Sequence, residues 1–462
     1  VSAPRTERWY RAVWRWHFYA GLFCVPFVLW LSVTGALYLF KPQIEAALYA
    51  PYRNVASDPV LLPQTIAATA VGAVPGSVLH KYVLPESPHD AVQVLVGKGA
   101  KEVRVWVNPQ TSAVLHQVAE EDRLMRVVFR LHGELLAGPW GSALVETAAC
   151  WTIVMLLTGL FLWWPRGGSR LAGVLYPRLR KGRALFWRDI HAVTGLWVSL
   201  GALFLIASGL PWANAWGAYF REVRAVTGTI AGKQDWSAGS RADAAVRARA
   251  DAGMRAMMSE HAEHHGMTMR HAAFPPAALD AVVARAETLH FAGPVEVSPP
   301  TAPGAPWQVR SQAENRPRRD SAEIAADGRL IGIQRFADRH WIDRAVGYGV
   351  AIHEGAWAGL PNQMVNLAVL IGLVLLCVSS VVLWWRRRPS GTLGAPKSLA
   401  PLRHSWALVA LVMALAAAMP LFGLSLGLAV IAEAALARLV PCLGSWAGWR
   451  NVTKLAGKPA VD

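Results

Sequence analysis

Charged residues are scarce in this sequence. Asp, Glu, Lys and Arg make up 16% of its 462 residues, against roughly a quarter in an average globular chain. The shortage is not that of a disordered chain, because 54% of the residues are hydrophobic. Cysteine is scarce too. Four residues, Cys24, Cys150, Cys377 and Cys442, exclude a disulfide-dense secreted scaffold. Three of them lie inside long apolar runs and read as small packing residues. No G-x-G-x-x-G follows a strand-like segment, and there is no Walker A loop.

What the chain has in place of charge is long apolar stretches. Residues 18–40, 147–164, 192–220, 355–385 and 405–432 carry no charge at all. About 20 apolar residues cover a bilayer core near 30 Å thick, so the sequence predicts five membrane spans. The first is too long for the apolar core of a signal peptide, and the LYLFKP after it offers no A-x-A cleavage site, so it reads as a retained anchor. The resulting division is 1–40 (N-terminal segment and span 1), 41–131, 132–164 (span 2), 165–190, 191–220 (span 3), 221–346, 347–385 (span 4), 386–404, 405–436 (span 5) and a tail, 437–462. Pro420 marks a kink or a re-entrant turn in span 5.

The formal net charge of +16 has a location. Residues 1–16 hold four Arg and one Glu, 165–190 hold seven Lys/Arg and one Asp, and 386–404 hold five Lys/Arg and no acid. The two long segments are nearly balanced, nine against eight over 41–131 and 17 against 15 over 214–352. Short loops rich in Lys and Arg stay cytoplasmic. The expectation is a bacterial inner-membrane protein with a cytoplasmic N-terminus and both long segments in the periplasm. Nucleic-acid binding is excluded as an explanation of the charge, since no basic face or recognisable module carries it.

The chain also repeats itself. RWHFYAGLF and RDIHAVTGLW align His17 with His191 and Gly21 with Gly195, at an offset of 174 that also places Thr34-Gly35 over Ser208-Gly209. A second offset, 221, aligns Asp122-Arg123 with Asp343-Arg344, His132 with His353, Gly138 with Gly359, Trp163-Trp164 with Trp384-Trp385 and Arg166 with Arg387. Between the matched spans, PQTIAATAVGAV predicts a helix, VQVLVGKG a strand, and EVRVWVNPQTSAVLHQV two strands around a turn. PPAALDAVVARAETL predicts the corresponding helix, and Asp327-Gly328 in AEIAADGRLIGIQRF a hairpin turn. Residues 221–274 form a longer insertion before it. Each half runs span, small α+β module, span, and both halves cross in the same direction. The fold class expected is an α-helical integral membrane protein with two periplasmic α+β modules. Its spans form a pseudo-twofold repeat of two about an axis along the membrane normal, plus one extra C-terminal span.

These residues resemble a known family. The modules look like PepSY domains, and the spans around them resemble the PepSY-associated transmembrane helix family over roughly residues 14–432. The resemblance rests on His17 and Gly21, Thr34-Gly35, Leu131-His132-Gly133, Thr158-Gly159 before LFLWWPR, Ile190-His191, Ile352-His353 and the MPLFGLS segment. Members include bacterial inner-membrane reductases of ferric siderophores that hold two b-type haems; others are iron-uptake or regulatory membrane proteins. The resemblance therefore implies non-covalent haem, as does the lack of any C-x-x-C-H.

Of 14 histidines, four occupy repeat-equivalent positions at span ends. His17 and His191 share the expected cytoplasmic depth, His132 and His353 the periplasmic depth. A histidine at such a depth also fits the headgroup region without ligating anything, and the residue pattern alone leaves both readings open. Ionisable groups in spans need a partner, which a neutral imidazole on haem iron has. With the resemblance, the expectation is two bis-His haems b, one on His17 and His191 and one on His132 and His353, because ligands of one flat group must share a depth. A structural zinc site would want four ligands where each layer offers two histidines, though Glu134 and Glu354 lie beside the periplasmic pair.

The segment 254–271, MRAMMSEHAEHHGMTMRH, packs five Met and four His into 18 residues. Such side chains suit transition metals, but the segment has no repeat counterpart, and an amphipathic helix with solvated histidines explains it better. The predicted cytoplasmic segments are too short for a flavin or nicotinamide domain, so electrons would come from membrane quinol or a separate reductase. The function expected from the resemblance is haem-dependent reduction of a periplasmic ferric siderophore or other ferric chelate, releasing Fe(II). The alternatives are a non-redox PepSY membrane protein regulating a periplasmic partner, and a transporter. Against a transporter, Glu146 and Glu433 are the only acids deep in the spans.

Overall fold

The computed structural model describes residues 5–165, 171–230, 244–256, 276–396, 406–440 and 446–447. Helices α1 (Arg5–Leu39), α2 (Lys41–Leu48) and α3 (Pro63–Ala73) precede strands β1 (Val78–Leu84), β2 (Val92–Lys98), β3 (Lys101–Val107) and β4 (Val114–Ala119). Then come α4 (Leu124–Glu134), α5 (Gly138–Trp163), α6 (Arg183–Gly209), α7 (Asn214–Val226) and a helix over 244–256, α8. After α9 (Pro276–Glu287) follow β5 (Val295–Ser298), β6 (Trp307–Ser311), β7 (Ser321–Ile324) and β8 (Leu330–Gln334). The remaining helices are α10 (Trp341–His353), α11 (Leu360–Arg387), α12 (Trp406–Ala418) and α13 (Pro420–Leu439). The chain forms two compact units, one of residues 1–36, 140–219 and 365–462, the other of residues 37–139 and 220–364.

The first unit is helical. Among the described residues, four helices are long and apolar enough to cross a membrane: α1, α5, α6 and α11. Cys24, Cys150 and Cys377 are buried and free, as packing residues should be. The expected fifth span over 405–436 is not one helix. It breaks at Met419 (φ −134°, ψ 84°) into α12 and α13. Residues seven apart in a continuous helix lie about 10 Å apart along its axis, yet a Cβ on Gly423 would sit 2.9 Å from Ala416 Cβ. The chain therefore folds back on itself. Pro420 has no N–H to continue the helical ladder. The Ala417 and Ala418 carbonyls instead accept from Tyr219 Oη and Trp216 Nε1, both at 3.0 Å, which meets the need to satisfy backbone groups in an apolar setting. At 13 residues, α12 extends about 20 Å, short of a hydrocarbon core near 30 Å.

The second unit carries one eight-stranded antiparallel sheet in the order β4-β3-β2-β1-β5-β6-β7-β8. The two expected modules thus share a sheet: β1 pairs with β5 through Tyr82 opposite Val297 and Leu84 opposite Val295. One face is apolar, built from alternate residues of β2, β3, β5, β6 and β7. Val92, Val94, Val105, Val297, Trp307, Val309 and Ile324 pack there against Ile66 and Ala70 of α3 and Leu279 and Val282 of α9. Asp280 Oδ1 of α9 accepts from Gln64 N at the start of α3, 2.9 Å away. On the other face α8 is pinned at its flanks. Arg247 donates to Ala100 O at 3.0 Å and pairs with Glu121 at 2.8 Å, and Arg255 donates to Gly76 O at 2.9 Å.

That second face also buries charge. Arg104 binds Glu120 at 2.9 Å and Gln93 at 2.7 Å, while Arg123 binds Glu120 and Glu45, each at 2.7 Å, and Tyr49 Oη at 3.0 Å. The two guanidiniums hold the Glu120 carboxyl down at about 2, against the opposing cost of burial. His80 is buried beside Glu102, Nδ1 to Oε1 at 3.0 Å, with Asp251 Oδ1 of α8 at 3.7 Å from Nε2. The ring lies where a side chain on Gly97 would be, since a Cβ there would come within 1.8 Å of it.

Candidate functional site

His17 lies in α1 and His191 in α6, and both belong to the helical unit. Their ring centroids are 6.4 Å apart with planes at 80°. The partners of each ring fix its tautomer. His17 Nδ1 lies 3.1 Å from Met155 O and 3.1 Å from Thr158 Oγ1. A carbonyl can only accept, and the Thr158 hydroxyl already donates to Val154 O at 2.8 Å or Met155 O at 3.0 Å. Nδ1 therefore carries the proton. His191 Nδ1 lies 3.1 Å from Ser379 Oγ, whose own proton goes to Leu376 O at 3.0 Å, so the same tautomer follows. In both rings Nε2 is left with its lone pair, and neither Nε2 has a hydrogen-bond partner among the described residues.

These contacts recur at the sequence offsets. Thr158 and Ser379 differ by 221 positions, as do Met155 and Leu376. A Cβ on Gly21 would meet Met155 Sδ at 3.8 Å, and one on Gly195 would meet Leu376 Cδ2 at 3.6 Å. Trp163 Nε1 donates to Val174 O and Trp384 Nε1 to Leu393 O, at 3.0 and 2.8 Å. At one point the match fails: a Cβ on Gly159 would sit 3.1 Å from His17 Cε1, while position 380 is Ser. The absent Cβ on α5 gives the His17 ring room that a side chain would take.

A neutral imidazole held through Nδ1–H keeps an Nε2 lone pair, the kind of donor that a metal or haem iron takes, so His17 and His191 are the described pair that could hold one. The 6.4 Å between the ring centroids is that of an ordinary edge-to-face ring pair, so the hydrogen bonds at Nδ1 are the observation that sets these two rings apart. Among the described residues no group of three or more His, Cys, Asp or Glu is placed to hold a metal ion.

His132 and His353 belong to the sheet-bearing unit. They do not open the long spans, as the boundaries 132–164 and 347–385 had placed them. His132 is in the last turn of α4 and His353 ends α10. A break separates each from the following long helix. Leu135 and Leu136 adopt φ of 51° and 56° before Gly138 at 57°, and Gly355 and Gly359 adopt 74° and 61°. Left-handed backbone suits glycine, whereas two successive leucines there are strained. Such strain concentrates where surrounding structure must hold a functional group in place. Glu134 is buried, and Glu354, the C-cap of α10, lies 3.8 Å from Arg316 Nε.

Glu146, the deep acid of α5, is accounted for structurally: Oε2 accepts from Ala215 N at 3.2 Å and Trp216 N at 3.1 Å, capping the first turn of α7. Of the Met/His segment 254–271, residues 257–271 lie outside the described residues, and Met254 is buried at the end of α8. The sequence reading missed Met155, Thr158 and Ser379 as partners of the histidines. Thr158-Gly159 stood out as a motif, and adding the offset of 221 to Thr158 reaches Ser379.

The model of the family described as PepSY-associated TM region matches residues 14–387. None of the curated proteins matches the chain.

Proposed function

We propose, for a chain that belongs to the PepSY-associated TM family, that this membrane protein is a dihaem b-type electron carrier reducing a ferric chelate. His17 and His191 would hold one haem through their Nε2 atoms; His132 and His353 would hold the other. The paired Nδ1–H tautomers at the first site carry this reading, because they leave two lone pairs and no competing partner. Bound haem iron would supply one-electron transfer, and the chain would supply the imidazoles that hold it and their orientation. Met155 and Thr158 hold the His17 ring, and Ser379 holds that of His191. A hydrogen bond to Nδ1–H raises the donor strength of Nε2.

The remaining parts rest on the residue pattern and on the family. The Lys/Arg-rich short loops favour an inner-membrane protein with the N-terminus and those loops in the cytoplasm, and the sheet in the periplasm. The matched contacts favour a pseudo-twofold arrangement of the spans. The substrate would be a ferric siderophore or similar chelate: one electron converts Fe(III) to Fe(II), which hard oxygen ligands hold more weakly. A membrane quinol or a separate reductase would supply the electron. Pyridine haemochrome analysis of protein purified from haem-replete cells tests the reading. Two haems b per chain are expected; a preparation with no haem would favour the non-redox regulatory alternative.

A further inference from the structure

The two ends of the sheet are built in the same register but finished differently. In the first half Gln93 pairs with Trp106, which in turn pairs with His116. In the second half Gln308 pairs with Glu323, which pairs with Gly332. Trp106 is 1% exposed. It packs against Tyr49, Tyr52 and His116, with ring centroids 5.3, 5.6 and 5.1 Å away. This aromatic plug closes the face opposite α3. Among the described residues the second half has no counterpart to it, and a cleft of about 440 Å³ opens over β6, β7 and β8. That volume lies within the range of small-molecule sites, roughly 300–1,000 Å³.

Three guanidiniums line the cleft: Arg310, Arg319 and Arg339. Two are anchored to the protein. Arg319 Nε donates to Ala313 O at 2.7 Å, and Arg339 donates to Arg319 O at 2.7 Å while its guanidinium lies over the Phe336 ring. Arg310 is exposed, and its guanidinium makes no hydrogen bond or ion pair with the described residues. The two acids of the cleft are engaged by neutral donors, Asp320 by Phe336 N at 2.9 Å and Glu323 by Gln308 Nε2 at 3.0 Å. Three guanidiniums against two carboxylates leave the open cleft net positive, on planar groups whose geometry matches carboxylates.

We propose that this cleft binds a small polycarboxylate, with one carboxylate on Arg310 and the rest of the anion within reach of Arg319 and Arg339. The anion is either a free acid or the organic part of a metal chelate. The site stands on the sheet-bearing unit alone and does not depend on haem.

Calorimetric titration of the full chain in detergent with citrate, and separately with ferric citrate, tests the proposal. Saturable binding of one anion per chain is expected. Equal affinity for the two probes assigns the site to the free acid, and tighter binding of ferric citrate assigns it to the chelate. Arg310→Gln should weaken binding about tenfold or more. Arg285→Gln, an exposed position of α9 on the other face of the sheet, should leave it unchanged. Glu323→Gln should tighten binding by removing a repelling charge. Glu323→Trp should abolish it despite removing the same charge, because it restores the plug. Haem content read on the same samples separates the two readings. Haem present with no saturable binding up to on the order of 10 mM overturns this site alone, and citrate bound without haem overturns only the electron-transfer function. Equal binding by Arg310→Gln and Arg285→Gln, or undiminished binding by Glu323→Trp, would also overturn it.

Discussion

Replacing Ser379 by Ala removes the hydroxyl that accepts His191 Nδ1–H at 3.1 Å. A neutral hydrogen bond contributes about 1 kcal/mol net, and outer partners of metal-ligating histidines are worth about 10- to 100-fold in affinity. The loss should fall at the low end. The Leu376 carbonyl now bound by Ser379 at 3.0 Å loses that donor and remains beside the ring as a substitute acceptor. We expect haem to bind about tenfold more weakly, about 1.4 kcal/mol. Thr158→Val should cost no more, since His17 keeps Met155 O at 3.1 Å. Both variants should raise the midpoint potential of one haem, because a weakened hydrogen bond from Nδ1–H makes Nε2 a poorer ligand for Fe(III). Haem titration into depleted protein and a redox titration followed at the Soret band measure the two effects. A Ser379→Ala protein with affinity and potential both unchanged would refute the ligand assignment of His191.

Other perturbations test the sheet-bearing unit and the unmatched segment. Gly97→Ala should destabilise the unit by about 3 kcal/mol or more, read as a lowered calorimetric Tm, because its Cβ would meet the His80 ring at 1.8 Å. Arg123→Ala should cost about 2 kcal/mol in the same scan, since Glu45 loses its guanidinium partner while Glu120 keeps Arg104. Glu120 is depressed to about 2 in the folded chain, against an ordinary value of about 4.3. Its contribution, about 3 kcal/mol, is present above that ordinary value and is lost as pH falls toward about 2. A Tm flat between those pH values in wild type, relative to Glu120→Gln, would contradict this. Deleting residues 257–271 should leave haem content unchanged, and loss of both haems by absorption would show that the segment serves them.

The membrane helices were legible because their signal is redundant: four charge-free runs of the sequence coincide with α1, α5, α6 and α11. The α+β segments were legible where alternation was strict, as in β2 and β3, and where Asp327-Gly328 turns β7 into β8. β1 carries no such alternation, being buried on both faces, and its pairing with β5 joins residues over 200 positions apart. No local pattern encodes that contact. Pro420 flagged a break, but whether a proline kinks or ends a helix depends on what satisfies the freed carbonyls. Here Trp216 and Tyr219 do so from another helix. The histidines were found by their offsets, whereas their tautomers needed the partners' own hydrogen bonds. The cleft at Arg310 was invisible, because it is defined by the absence of a plug that only strand register reveals.

Absorption spectra of the four single His→Ala variants, oxidised and dithionite-reduced, test the central assignment most directly. His17→Ala and His191→Ala should lose or convert the same one haem, and His132→Ala and His353→Ala the other, leaving one low-spin bis-His spectrum in each case. Two intact low-spin haems in all four variants, or His17→Ala and His132→Ala removing the same haem, would contradict it.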